Sequence, residues 1–382
     1  MNKYVFYTLG CRANQYQSSA LECQMTNVKY QMRKFGEEAD IYVINTCTVT
    51  ADADRKSRQA IRRALRLAKK VIVTGCYAKL NRDYLEKAFP EVEFQFPSYL
   101  IPHTSSRNPK IRANLMIEDG CENFCSYCIV PFARGKVQTR SLPEIRREAE
   151  MLVKAGAREI VLTGINLGAW GDLRPILDSL CSIPNLLRIR LSSLEPQYLA
   201  PELIEFIAEN PKICRHLHLP LQSGDNKILK LMNRRYTAEE YLKLVERIRR
   251  ELPDCGITTD VIAGFPGEGE EEFQNTVNLI NEVKFSRLHI FPYSARDLTA
   301  ASKLPNQIDP KVKKQRFQVL DRIRKAQMNS FAEKYLGKEV EILVEQKGEG
   351  LTANYIRVVF DDPQDLSGKL HKLNLSLSHL KS

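Results

Sequence analysis

The sequence is organised around one short segment, residues 119–131, which read Asp119-Gly120-Cys121-Glu122-Asn123-Phe124-Cys125-Ser126-Tyr127-Cys128-Ile129-Val130-Pro131. The three cysteines of this segment have the spacing C-x3-C-x2-C. A zinc site would need a fourth cysteine or histidine nearby, and neither residue type follows before Cys181. Three free thiols are the other alternative. An iron–sulfur cubane normally takes four thiolates, so three thiolates would leave one iron without a protein ligand.

An iron without a protein ligand points to radical chemistry. Such an iron can chelate the amino and carboxylate groups of S-adenosylmethionine and pass it one electron. A C–S bond then breaks to give a 5′-deoxyadenosyl radical. The sequence therefore predicts that Cys121, Cys125 and Cys128 hold a catalytic [4Fe-4S] cluster. Tyr127, between two of them, either packs against the adenine of this cofactor or only fills the loop.

The composition is typical of a soluble, cytoplasmic globular protein of two or three domains. The 382 residues are 43% hydrophobic and 27% charged, and no apolar run is long enough to predict a membrane span. The first residues form a strand-like pattern without the features of a secretory signal. The ten cysteines therefore indicate metal or redox chemistry in a reducing compartment. The net charge of +11 favours a polyanionic partner, of which RNA is the commonest in the cytosol.

Three cysteines nearer the N-terminus share a position relative to the predicted strands. Apolar runs at 4–8, 41–47 and 71–76 alternate with helical patterns, the first of them from about Ser18, and this predicts a parallel sheet. Cys11, Cys47 and Cys76 each stand at the carboxyl end of one run, where open α/β sheets build their sites. These three are predicted to hold a second, auxiliary [4Fe-4S] cluster with one open iron. Three buried structural cysteines are the alternative.

Residues 55–70, between two of these strands, carry eight basic residues and no acidic one. Ile61, Ala64, Leu65 and Ala68 fall on one face of a helix, so the rest of the helix surface is basic. This basic face is predicted to contact RNA phosphates. A solvated surface without a partner is the alternative.

Strands and helices alternate from residue 111 to residue 334, which predicts a barrel or partial (β/α) barrel. Apolar runs at 159–163, 213–219 and 256–262 are among the predicted barrel strands. Barrel sites are built after the strands, so four residues of those loops are predicted to contact the cofactor: Gly164, Asn166, Glu195 and Gln222. Glu195 either bonds a ribose hydroxyl or pairs with a barrel arginine. A long basic helix is expected at 309–335. The short strands that follow it predict a small all-β, OB-like module that binds RNA.

Other residues near the predicted barrel strands have two interpretations each. His216 and His218 share one strand face and are expected to be buried and hydrogen-bonded rather than ligands. Arg234 and Arg235 either hold a substrate phosphate or carboxylate or pair at the surface. Asp260 is expected to reach the barrel interior. The other cysteines are expected to be structural: Cys23, Cys181, Cys214 and Cys255.

Six cysteines in two sets, with several longer motifs, resemble those of the methylthiotransferases, a branch of the radical S-adenosylmethionine (radical SAM) enzymes. The motifs lie at 8–11, 45–47, 74–76, 131–135, 219–224 and 260–267. The resemblance implies an N-terminal auxiliary-cluster domain (1–96), a linker (97–110), a partial barrel (111–334) and a C-terminal TRAM module (335–382). It also implies two [4Fe-4S] clusters and S-adenosylmethionine, and a reaction that inserts sulfur and a methyl group at an unactivated C–H position.

Residues 8–16 and 351–358 resemble the branch that modifies C2 of N6-threonylcarbamoyladenosine at position 37 of tRNA, beside the anticodon. Other branches act on N6-isopentenyladenosine 37 or on an aspartate of a ribosomal protein, and the net positive charge favours tRNA. The implied partners are the anticodon stem-loop of tRNA and an electron-donor protein, and a monomer is expected. A non-catalytic iron–sulfur RNA-binding protein is the alternative from another class. A pure binder has little use for open irons, so the six cysteines disfavour it.

Overall fold

A computed structural model describes residues 2–25, 30–96 and 110–380. The predicted linker, 97–110, lies outside the described residues except for Lys110. No helix in the described ranges is both long enough and apolar enough to cross a lipid bilayer.

The N-terminal part is a five-stranded sheet in the order β2-β1-β3-β4-β5, with every strand pair parallel. Its strands are β1 (Asn2–Thr8), β2 (Tyr30–Met32), β3 (Ala39–Thr46), β4 (Ala68–Gly75) and β5 (Glu93–Phe94). Its helices are α1 (Arg12–Met25), α2 (Ala51–Leu65), α3 (Cys76–Leu80) and α4 (Arg82–Ala88). The predicted parallel sheet is confirmed. The helix expected from Ser18 begins earlier, at Arg12, because Gly10 takes a left-handed φ of +98° and turns the chain at once.

The barrel part contains six parallel strands that curve into an incomplete barrel. The strands are β6 (Arg112–Met116), β9 (Glu159–Thr163), β10 (Arg188–Leu191), β11 (His216–His218), β12 (Gly256–Ala263) and β13 (Arg287–Pro292). They form two three-stranded sheets, β10-β9-β6 and β11-β12-β13, joined by single bridges from Ile189 to Ile213 and from Ser193 to His218. A short antiparallel pair, β7 (Glu118–Asp119) and β8 (Gln138–Thr139), follows β6.

Seven helices surround or follow these strands. They are α5 (Val130–Arg134), α6 (Leu142–Lys154), α7 (Arg174–Cys181), α8 (Pro201–Glu209), α9 (Asn226–Leu231), α10 (Ala238–Glu251) and α11 (Glu270–Val283). Alternate strand residues pack against the helices in one large apolar core, which contains Leu115, Ile160, Ile189 and Leu217. The other set of strand residues faces the opposite side, the lumen of the incomplete barrel. β11 is shorter than the predicted run of 213–219, because Ile213 pairs only through a single bridge and Pro220 has no N–H to continue the ladder.

The C-terminal part begins with the long helix α12 (Pro310–Glu333). Four antiparallel strands follow in the order β16-β15-β14-β17. They are β14 (Glu339–Gln346), β15 (Glu349–Thr352), β16 (Arg357–Val359) and β17 (Leu370–Asn374). Their apolar residues form a separate small core around Ile342, Val344 and Val358. The predicted small all-β module is therefore present.

Candidate functional site

The C-x3-C-x2-C loop runs from β7 to α5, directly beyond the first barrel strand. Backbone hydrogen bonds fix its turns: the Cys128 N–H donates to the Cys125 carbonyl at 2.9 Å, and the Cys121 N–H donates to the Gly135 carbonyl at 3.2 Å. All three cysteines are half-buried. The loop therefore presents three thiols just beyond the carboxyl end of β6, the first barrel strand.

Burial and neighbouring thiols change the pKa of two cysteines in this loop. Burial, opposed by the Asn123 N–H and reinforced by Cys125, raises the pKa of Cys121 to about 11. Burial and the neighbouring Cys125 raise the pKa of Cys128 to about 12. Thiols with such pKa values ionise at neutral pH only beside a cationic group. Three half-buried thiols on one short loop are nevertheless the kind of donor set that an iron–sulfur cluster takes.

Within residues 2–25, 30–96 and 110–380, no three His, Cys, Asp or Glu side chains converge on one point at metal-bonding distance. A cubane binds each cysteine through a different iron, so its thiolates need not meet at one point.

The three N-terminal cysteines come together at the carboxyl edge of the first sheet. Cys11 is exposed, whereas Cys47 and Cys76 are buried. The Asn14 Oδ1 atom lies 4.0 Å from the sulfurs of both Cys11 and Cys76. A Cβ atom at Gly10 would lie only 2.8 Å from the Cys47 sulfur, so glycine is needed beside this cluster of thiols. Burial, opposed by the Val49 N–H and reinforced by Cys11 and Cys76, raises the pKa of Cys47 to about 11.

Arg134 connects the two cysteine sets. It lies in α5, directly after the first loop, and its side chain is 1% exposed. Its Nη1 donates to Asp119 Oδ1 at 2.6 Å, and its Nη2 donates to Asn14 Oδ1 at 2.5 Å. Burial lowers the pKa of Arg134, but Cys76, Cys11 and Asp119 outweigh burial and the net shift is upward. One buried cation therefore joins the barrel loop to the N-terminal cysteines.

A second polar contact holds the same two parts together. Arg296, beyond β13, donates to Thr48 Oγ1 at 2.8 Å and to Asp54 Oδ2 at 2.6 Å. The Ala51 N–H, at the start of α2, donates to Ser294 Oγ at 3.0 Å. The loop after Cys47 is thus tied to the carboxyl ends of the barrel strands.

A cavity of about 180 Å³ lies where these loops meet. Tyr127 and Cys128 line it on the side of the barrel loop, and Val49 and Thr50, just after Cys47, line it on the N-terminal side. Gln222, Asp260 and residues 291–294 come from the ends of barrel strands. Both cysteine loops therefore border one space at the carboxyl end of the barrel, where barrel active sites are built.

Comparison with known proteins places this arrangement in a family. Residues 115–280 match the Radical SAM superfamily, and residues 3–97 match the uncharacterized protein family UPF0004. The chain is 37% identical to the threonylcarbamoyladenosine tRNA methylthiotransferase MtaB of Bacillus subtilis, over 98% of this chain and 94% of that protein. The chain belongs to the radical SAM methylthiotransferase family. A member of this family uses a [4Fe-4S] cluster and S-adenosylmethionine, so the fit of the loop to a cluster agrees with its membership.

Two further matches complete the comparison. The chain is 35% identical to the tRNA-2-methylthio-N(6)-dimethylallyladenosine synthase of Alkaliphilus oremlandii, over 96% of this chain and 89% of that protein. Its fold is similar to that of the radical S-adenosylmethionine methyltransferase TsrM from Kitasatospora setae. That likeness has a TM-score of 0.58 at 15% identity and covers 79% of this chain and 77% of that chain. The similarity to TsrM concerns the fold alone.

In this methylthiotransferase, Gly164 and Asn166 lie against Glu118. A Cβ atom at Gly164 would lie 2.0 Å from Glu118 Oε1, which accepts the Asn166 N–H at 2.5 Å. Glu118 Oε2 and Asn166 Oδ1 are buried and have no hydrogen-bond partner among the described residues. Burial raises the pKa of Glu118 to about 8. Buried polar atoms normally have partners, so this corner of the methylthiotransferase suits a polar ligand.

Glu195 pairs with a barrel arginine, which is one of its two predicted interpretations. Its Oε1 accepts from Arg234 Nη1 at 3.1 Å, and its Oε2 accepts from Arg234 Nη2. Arg234 Nη1 also lies 3.4 Å from the Cys125 sulfur. The arginine is therefore not a surface residue, and its charge faces one predicted cluster ligand. Gln222 lines the cavity with a left-handed φ of +64°.

The prediction for His216 is confirmed. His218 is hydrogen-bonded but only half-buried, and Asp260 reaches the barrel interior as expected. His216 is buried, and its Nε2 lies 3.1 Å from Thr258 Oγ1, which also lies 2.9 Å from His218 Nδ1. His218 Nε2 lies 3.3 Å from Asp260 Oδ2, and Asp260 lines the cavity. Of the cysteines expected to be structural, Cys181 is half-buried and three are buried: Cys23, Cys214 and Cys255.

Sequence reasoning did not single out Asn14, Glu118, Asp119, Arg134 or Arg296 as functional residues. The sequence position of Arg134 could have indicated a functional role, since it lies in the motif at 131–135 directly after the cysteine loop. No local pattern could have indicated Arg296, because its partners Thr48 and Asp54 lie more than two hundred residues away in the chain.

Proposed function

We propose that this protein methylthiolates C2 of N6-threonylcarbamoyladenosine 37 in tRNA. The observation that carries the proposal is that both predicted cysteine loops border one cavity and are joined by Arg134. Similarity to the Bacillus subtilis methylthiotransferase over 98% of the chain supports the choice of substrate. Sulfur insertion at a C–H bond needs a radical source and a sulfur source near one substrate atom, and two clusters at one cavity meet that need.

Cys121, Cys125 and Cys128 would hold the radical-generating cluster, and Cys11, Cys47 and Cys76 would hold the auxiliary one. Each set offers three mutually close thiols. Burial raises the pKa of Cys47 in one set and of Cys121 and Cys128 in the other, so thiolates at these positions need a cationic partner. When bound, the first cluster supplies the electron that cleaves S-adenosylmethionine, and the auxiliary cluster supplies sulfur. The protein's part is to hold both and to exclude water between them.

The remaining predicted residues suit the binding of S-adenosylmethionine and of the base. Tyr127 and Gln222 line the cavity and can pack against a flat ring. Glu118 Oε2 and Asn166 Oδ1 can accept hydrogen bonds from an ammonium group of the cofactor, since both lack partners among the residues described. Arg234, held by Glu195, places positive charge beside the Cys125 sulfur, which stabilises a negatively charged thiolate.

The basic surface of α2 supports an RNA substrate. Arg55 and Lys56 form an exposed pair with Asp52, while Arg62 and Arg66 are exposed. The same helix begins beside the cavity, because Thr50 caps it and also lines that space. Phosphates of the anticodon stem-loop can therefore reach this surface while a base enters the cavity.

The same proposal includes the wider organisation of the protein. We propose an N-terminal domain, a linker, a partial barrel and a C-terminal TRAM module, with bounds 1–96, 97–110, 111–334 and 335–382. We also propose that the protein is a monomer and is cytoplasmic. An electron-donor protein is part of the proposal because the reaction requires one-electron reduction from outside the chain.

The test is the reaction of anaerobically reconstituted protein with defined substrates. Anticodon stem-loops carrying threonylcarbamoyladenosine, isopentenyladenosine or unmodified adenosine at position 37 are compared with a ribosomal-protein fragment that contains an aspartate. We expect mass spectrometry to detect the methylthio product with the first substrate only. Preferred modification of isopentenyladenosine, the alternative that the Alkaliphilus relative suggests, or of the protein fragment would overturn the proposed substrate.

A further inference from the structure

We propose that Arg12 and Tyr355 bind the carboxylate of the threonylcarbamoyl group inside the barrel lumen. The inference rests on the proposed function and deepens it, since it assigns the residues that select this substrate. A threonylcarbamoyl group ends in a negatively charged carboxylate, whereas an isopentenyl group is uncharged. A protein that discriminates between these two substituents therefore gains most specificity from a cation near the end of the substituent that has no counter-charge of its own.

The lumen is rich in basic side chains. The strand residues that alternate with the apolar core face this space, and many of them are charged or imidazole groups: Arg112, Glu159, Arg188, Arg190, His216, His218, Asp260, Arg287 and His289. A lumen filled in this way is not an apolar packed core. It therefore suits a polar and negatively charged ligand.

Three of the lumen arginines already have anionic or carbonyl partners. Arg190 forms a fully buried pair with Glu159, with Nε to Oε1 at 2.7 Å. Arg188 donates to the Leu351 carbonyl at 2.7 Å, and Arg112 pairs with Glu345 at 2.9 Å. These side chains attach the C-terminal module to the barrel and are not free for a ligand.

Arg12 differs from these arginines. Its Nη2 donates to the Tyr355 hydroxyl at 3.1 Å, and it has no carboxylate partner in the part of the chain that the structure describes. It is half-buried, and it follows Cys11, a predicted ligand of the auxiliary cluster. A guanidinium with free N–H groups at this position matches the fork geometry that carboxylates prefer.

The surroundings of Tyr355 carry an excess of positive charge. The residue belongs to the C-terminal module, and its ring stacks on His216 at 4.3 Å and lies under Arg190 at 5.0 Å. Burial raises the pKa of Tyr355, but nearby arginines outweigh burial and hold the pKa below its usual value: Arg12, Arg112, Arg190 and Arg287. The His216 Nδ1 atom is also buried without a partner among the described residues. An anion in this space would balance the charge.

The position of the lumen fits the shape of the substrate. Asp260 lines the cavity between the cysteine loops and also contacts His218 in the lumen, so the two spaces adjoin. In adenine, N1 lies between C2 and the carbon that carries N6. The C2–H and C6–N6 bonds therefore leave the ring in different directions. With C2 in the cavity, the adjoining lumen with Arg12 and Tyr355 is a polar space that the N6 substituent can enter.

The test compares two anticodon stem-loops. One carries threonylcarbamoyladenosine, and the other carries the methyl ester of that nucleoside, whose threonylcarbamoyl group has no charge. We expect wild-type protein to bind the acid about 10- to 100-fold more tightly than the ester, the range for a charged hydrogen bond. Arg12→Gln and Tyr355→Phe should each reduce that ratio by lowering affinity for the acid alone. Arg66→Gln, at the exposed C-cap of α2, is the control and should weaken both ligands equally through lost phosphate contact.

The outcomes separate this inference from the proposed function. Because Arg12 neighbours Cys11, iron content is measured for Arg12→Gln, and Tyr355→Phe provides the independent variant. Wild-type protein that binds and modifies acid and ester equally would overturn the inference and leave the substrate intact. Equal weakening of both ligands by both variants would also overturn it, since this would indicate a purely structural role. Modification of neither stem-loop would refute the proposed substrate itself.

Discussion

Replacement of Cys11, Cys47 and Cys76 together by alanine is expected to halve the iron content of the reconstituted protein, from about eight to about four irons per chain. The same variant should lose methylthiolation completely. It should still cleave S-adenosylmethionine to 5′-deoxyadenosine, because the loop of Cys121, Cys125 and Cys128 is held by its own backbone hydrogen bonds. Iron analysis, product analysis and nucleoside mass spectrometry on one preparation measure all three quantities.

The control for this variant is Cys181→Ala. Cys181 is half-buried at the end of α7 and lies in neither cysteine set, so its replacement should leave iron content and product unchanged. About four irons in both the parent and the triple variant would show that the N-terminal cysteines are structural. Loss of S-adenosylmethionine cleavage in the triple variant, with the radical cluster present, would contradict the division of roles between the two sets.

Replacement of Arg134 by alanine is expected to lower the free energy of unfolding by about 3–5 kcal/mol, since it leaves a buried charge without its partner. Asp119 is 3% exposed and accepts from Arg134 at 2.6 Å, and its second carboxylate oxygen has no other partner among the described residues. The substitution also removes the hydrogen bond to Asn14 between the two cysteine sets. Urea unfolding of the cluster-free chain measures the loss without a contribution from iron binding.

Arg82→Ala is the matched control for Arg134→Ala. Arg82 forms a 2.7 Å pair with Glu86 on α4, but both side chains are about half exposed, at 55% and 45%. Exposed pairs of this kind contribute about 0–1 kcal/mol. Equal losses of stability in the two variants would show that the buried contacts of Arg134 with Asp119 and Asn14 contribute no more to stability than an exposed ion pair.

The sequence predicted those features that depend on local patterns. The two cysteine sets were recognisable because one has a fixed short spacing and the other repeats a position at strand ends. Apolar runs likewise predicted β9 and β12 almost to the residue. Errors occurred where tertiary contacts decide an element's extent, as at β11, which begins only at His216 because Ile213 pairs through a single bridge and not through a continuous ladder.

The contacts that assemble the site could not be predicted in this way. Arg134 meets Asn14 across 120 residues, and Arg12 meets Tyr355 across 343 residues. Neither pair has a local pattern, because each depends on how separate parts of the chain pack. Only the three-dimensional arrangement shows that Arg12 lacks a carboxylate partner among the described residues.

The most direct test of the central claim follows a single hydrogen atom. An anticodon stem-loop carrying threonylcarbamoyladenosine with deuterium at C2 is incubated with reconstituted protein, S-adenosylmethionine and a one-electron reductant. Mass spectrometry then follows the nucleoside and the 5′-deoxyadenosine. We predict that deuterium appears in 5′-deoxyadenosine while the nucleoside loses it and gains a methylthio group. Deuterium-free 5′-deoxyadenosine beside an unchanged nucleoside would contradict the assignment of this base as the substrate.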